Sequence, residues 1–148
     1  MMPPRSYAEW TQCFDELKRG LNDEDVLAFM EKGSLSWSSG VAERFSMQLF
    51  ELINFRLDNT AKSFSRKLEM SKGDEAPIVN ALLGLRREIV FLRRLSSLPA
   101  IPEDKRTYFT DQITQYANNT QKSLEESAKN DRSGRLSSII RNNRLDAN

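Results

Sequence analysis

The stretch "LRREIVFLRRL", Leu85 to Leu95, sets Arg86-Arg87 and Arg93-Arg94 seven residues apart, with Val90 in the apolar run between them. A guanidinium group is a rigid planar fork that pairs bidentately with carboxylate or phosphate. The stripe therefore suits an acidic protein helix or a phosphate backbone. A second group of cations, Lys129, Arg132, Arg135, Arg141 and Arg144, lies near the C-terminus. If all of them contacted duplex DNA the salt slope would be roughly −4.5, the mark of weak, nonspecific binding. Nothing in the chain reads bases.

Other chemistry finds little support. Histidine is absent and cysteine occurs once, as Cys13, so the usual zinc ligand sets and an internal disulfide framework are both missing. Cys13 lies beside the apolar stripe of a helix with no histidine to activate it, which is the setting of a buried structural thiol. Asp23, Glu24 and Asp25 lack the loop spacing of an EF-hand and complement a helix N-terminus instead. Neither a P-loop nor a dinucleotide-binding glycine pattern occurs. The reading is a noncatalytic chain with no cofactor and no metal.

With 22 basic and 21 acidic residues in 148, the charge balance creates no global field toward nucleic acid or an anionic membrane. A chain of this length buries roughly two thirds of its unfolded surface, enough for a real core. The opening "MMPPRSYAEW" has no apolar leader region and no stretch is long and apolar enough to span a bilayer. These features point to a cytoplasmic location and no membrane partner.

Helical periodicity dominates the pattern. Ser6 and Glu9 match a capping box, and Tyr7, Trp10, Phe14, Leu17 and Leu21 follow on one face, which predicts a helix over 6–20 closed near Gly20. Asn22 is suited to cap a short helix over 22–32. The serine-rich "GSLSWSSG" reads as a loop in which Trp37 either folds inward or stands out as an interface anchor. A run without Gly or Pro then predicts a long helix over 40–71, with Phe45, Leu49, Leu52, Ile53, Leu57, Ala61, Phe64 and Leu68 as its inner stripe. Turns at "KGDEAP" and "LPAIPED" separate it from helices expected over 75–98 and 103–128.

The expected fold is all-α, an antiparallel bundle of four main helices over residues 1–128, with the short helix and a basic tail over 129–148 as accessories. Residues 133–142 could form a short amphipathic helix if a surface receives them. The 75–98 helix is apolar on more sides than an outer helix requires. One account makes it the central core helix, its arginine stems covering apolar surface and its guanidinium groups reaching water, Glu51, Asp58 or Asp111. The other makes Arg86, Arg87, Val90, Arg93 and Arg94 a docking surface. The function expected is a regulatory or interaction module that binds a protein partner or a second copy of the chain, with Trp37 as a further anchor. The alternative is nucleic-acid association through the arginine stripe and the tail.

Overall fold

A computed structural model describes residues 2–146, and over them the chain is an all-α helical bundle. The helices are α1 (Tyr7–Arg19), α2 (Asp23–Glu31), α3 (Ser39–Ser71), α4 (Glu75–Ser96), α5 (Glu103–Ala128) and α6 (Arg135–Asn142). They divide into two compact units, the first of Met1–Leu57 with Arg94–Phe109 and the second of Asp58–Arg93 with Thr110–Asn148.

In the first unit, α1 starts with the complete capping box: Glu9 N–H donates to Ser6 Oγ and Ser6 N–H to Glu9 Oε1. It ends at Gly20, whose φ of 70° lies in the left-handed region. That geometry lets the Gly20 N–H return to the Glu16 carbonyl, and a side chain there would be strained. Asn22 precedes α2 without a side-chain capping bond. The short helix is held instead by Arg56, whose guanidinium donates to both Asp23 oxygens, at 2.9 and 2.8 Å, and to the Leu17 carbonyl at 3.0 Å. One largely buried cation thus ties α1, α2 and α3 together.

The core of this unit centres on Phe45. Trp10, Phe14 and Trp37 each meet its ring edge-on, with centroids 5.5, 5.1 and 5.0 Å away. Edge-to-face pairs of this kind add about 0.5–1.5 kcal/mol each beyond the area they bury. Each indole also donates a hydrogen bond, Trp10 to the Ser34 carbonyl and Trp37 to the Ala100 carbonyl. α3 begins one residue earlier than the periodicity predicts because Ser38 caps it, its Oγ accepting from the Val41 N–H.

In the second unit, Phe64 of α3, Ile78, Leu82, Leu85 and Ile89 of α4, and Ile113 and Ala117 of α5 are buried. α4 stops at Ser96, which belongs to the first unit, two residues short of the expected end. The chain turns there, with Ser97 N–H bonded to the Arg94 carbonyl and Ile101 N–H to that of Leu98 ahead of Pro102. Leu98 stays buried without being helical.

The C-terminal residues form the expected amphipathic helix and have the surface that a short helix needs. Ile139, Ile140 and Leu145 are buried. Gln121, itself buried, accepts from the Leu145 N–H at 3.0 Å and donates to the Ile140 carbonyl. Asp131 opens the helix by accepting from Ser133 and from the Leu136 N–H.

Two stability tests follow from these contacts. A methyl group at Gly33 would meet the Pro4 carbonyl oxygen and Trp10 Cζ2, each at 2.8 Å, whereas at Gly40 nothing lies within 4 Å. Gly33→Ala is expected to cost about 1–3 kcal/mol by overpacking, and Gly40→Ala to be neutral or stabilising by up to about 1 kcal/mol. Urea unfolding of the two variants measures the difference.

The second test is pH. The Leu136 N–H and then Ser133 hold Asp131 below the ordinary carboxylate range, and a hydrogen bond from Arg144 does the same for Asp146. A depressed carboxylate stabilises the fold above its unfolded pKa of about 4 and loses that contribution as pH falls through the folded value. Amide protection in α6 should therefore drop as pH falls below about 4. Asp131→Asn should flatten the drop, and an equally steep profile in that variant would count against the cap.

Candidate functional site

α3 has its inward side fixed by burial. Phe45, Leu49, Leu52 and Ile53 are all in the core of the first unit. At 100° per residue the opposite side of the same stretch carries Met47, Phe50 and Phe55, within an arc of roughly 140°. These side chains are 58%, 50% and 43% exposed. The same arc holds Glu43, Glu51 and Asn54, all exposed. Arg44, at its edge, is turned to its own surroundings: its guanidinium lies 5.0 Å from the Tyr7 ring centroid and its Nε donates to the Gly40 carbonyl.

Single exposed apolar residues are ordinary, whereas several on one helix face mark a surface that gains by being covered. Met2, Leu21, Val90 and Tyr108 are also exposed, each on a segment other than α3, and Met70, on α3 itself, belongs to the second unit. Among the described residues of the first unit, the α3 face is the one place where three large apolar side chains share a helix side with acidic neighbours. It offers apolar area for an anchor and carboxylates for a cationic rim.

The residues that the sequence singles out are distributed differently. Arg94 belongs to the first unit, whereas Arg86, Arg87, Val90 and Arg93 belong to the second. Arg94 donates to Glu24 at 2.9 Å and to Glu31 at 3.2 Å, and these bonds, Glu24's foremost, hold its pKa above the ordinary arginine range. Its carboxylate partners are thus on α2, not at Glu51, Asp58 or Asp111. Within the second unit Arg87 and Val90 are exposed, while Arg86 and Arg93 are half-buried. Trp37 points inward, its ring against Phe45 and its indole N–H 2.7 Å from the Ala100 carbonyl.

In the basic segment, Lys129 meets Glu126, Arg135 meets Glu75, and Arg144 meets both Glu125 and Asp146. Arg132 and Arg141 are exposed. Cys13 is a buried free thiol, pushed up to about 11 by burial and then by Glu9 and Glu16, so it stays protonated at neutral pH. Among the described residues no group of three or more Asp, Glu or Cys side chains is placed to hold a metal ion, and no helix is long and apolar enough to cross a membrane.

Compared with known families, characterised proteins and solved structures, the chain matches none.

Sequence reasoning missed the α3 face although its signal was present. Over 39–57 the inner stripe is the one its spacing predicts, and Met47, Phe50 and Phe55 are the large apolar residues that it leaves over. A helix with one buried side has to place them in water.

Proposed function

We propose that this protein is a noncatalytic, regulatory interaction module that docks a basic amphipathic helix of a protein partner on the Met47, Phe50 and Phe55 face of α3. The observation that carries the reading is the joint exposure of those three side chains beside Glu43 and Glu51. Covering an exposed apolar side chain contributes about 1.5–3 kcal/mol at most, and partial burial proportionately less, so three anchors support a reversible complex. Carboxylates interspersed with the apolar anchors select partners by charge and speed their encounter.

Charge argues for a partner over a second copy. A twofold contact through this face would set the Glu43 and Glu51 carboxylates of one copy toward those of the other. Arg86 and Arg87, in the second unit, would suit an acidic helix, but Val90 is the one large exposed apolar side chain among them, a poorer anchor. Nucleic-acid binding through the tail is disfavoured because Lys129 and Arg144 already pair with carboxylates. A cytoplasmic setting accords with a lone cysteine held as a free thiol.

The test is fluorescence anisotropy with two synthetic amphipathic helices of identical leucine pattern, one with lysine and one with glutamate on the polar face. The lysine peptide should bind and the glutamate peptide should not. Replacing Met47, Phe50 and Phe55 together with serine should weaken binding at least tenfold while far-UV circular dichroism stays unchanged, since 1.4 kcal/mol is already a factor of about ten. Equal binding of the two peptides, or of the variant and the parent, overturns the reading.

A further inference from the structure

The second unit contains an apolar cavity of about 260 Å³. Phe64, Ile78, Leu82 and Ile140 form its buried wall, each at most 8% exposed. Leu124 and Leu136, both half-buried, stand at its rim. Since Leu136 and Ile140 belong to α6, the C-terminal helix closes one side of the space. An apolar cavity of about 150 Å³ admits a benzene ring. By the same scale, 260 Å³ admits an acyl chain of roughly eight to ten carbons.

A second cavity, also of about 260 Å³, shares Gly73, Ile78 and Leu136 with the first and is completed by Asp131, Ser133 and Arg135 among others. An apolar chamber adjoining a charged one matches a molecule with an apolar chain and a polar head. The side chain available to hold the head is the one whose bonds are not already engaged. Asp131 accepts from the Ser133 N–H at 3.2 Å, from Ser133 Oγ at 2.9 and 3.0 Å, and from the Leu136 N–H at 3.0 Å. Its oxygens are used within the turn that starts α6. Arg135 has a looser partner in Glu75, 3.7 Å away, and both side chains are more than half exposed. That separation is too long for a direct hydrogen bond, so the fork of Arg135 can turn to a better placed carboxylate.

We propose that this pair of cavities binds a medium-chain fatty acid, its chain against Phe64, Leu82 and Ile140 and its carboxylate on Arg135 in place of the long contact with Glu75. The site lies wholly in the second unit and does not depend on the role of the α3 face.

The full chain is titrated calorimetrically with decanoate, decanol and decylamine, each below its aggregation concentration. One decanoate per chain is expected, bound more tightly than decanol and much more tightly than decylamine. Leu124→Trp, which places an indole at the rim, should weaken decanoate at least tenfold. Arg135→Gln changes only an exposed side chain and should bring decanoate down to the affinity of decanol without changing decanol itself. Cooperative unfolding of both variants verifies that they fold, and Arg135→Gln decides alone if Leu124→Trp does not. Absence of saturable decanoate binding overturns the proposal. So does binding that Arg135→Gln leaves unchanged, or decylamine binding as tightly as decanoate.

Discussion

The first unit depends on the ring of Phe45. Three aromatic side chains from two other segments, Trp10 and Phe14 of α1 and Trp37 of the loop before α3, meet it edge-on. A helix residue gripped in this way has no rotational freedom, and its neighbours inherit their directions from it. With Phe45, Leu49 and Leu52 turned inward, 3.6-residue geometry sends Met47, Phe50 and Phe55 outward. Rotating α3 to hide them would lift Phe45 out of the cluster and part Arg56 from Asp23 and the Leu17 carbonyl. The exposed face is therefore a consequence of the core.

A polar hub plays the corresponding part at the C-terminal end of the second unit. Gln121 is buried on α5, and its amide engages the Ile140 carbonyl, the Leu145 N–H and Glu125. A buried amide left unsatisfied would be costly, so these bonds and the burial of Ile139 and Ile140 support one another. The same arrangement turns the basic side chains of that segment toward Glu75, Glu125 and Asp146 and sets Leu136 and Ile140 against the apolar cavity.

Much of the local fold was legible because its signals are local. The capping box at Ser6, the left-handed stop at Gly20, the inner stripe of α3 and the turns around Gly73 and Pro102 all depend on residues a few positions apart. What was not legible depended on distant partners. Asn22 looked like the cap of α2, but Arg56, over thirty residues away, secures that helix through Asp23. The arginine stripe looked like one surface because its spacing is regular, whereas Arg94 turns to Glu24 and Glu31 on α2. Ser38 starts α3 from a stretch that reads as loop, and Asp131 supplies a start for α6 that the basic composition of the tail does not signal. The α3 face gives no periodic signal of its own: spacing marks the stripe that folds inward, and the three large residues outside it carry the surface.

The central claim is that Met47 lies on an exposed, acid-bordered face that a basic amphipathic helix covers. Methyl-labelled methionine NMR of the full chain tests it directly, because Met30 is fully buried in the first unit and Met70 is exposed in the second. On addition of the lysine-faced peptide, the Met47 methyl resonance should shift and lose its broadening by a soluble paramagnetic agent, while those of Met30 and Met70 stay in place. An unmoved Met47 resonance, or a shift of Met70 in its stead, would contradict the account.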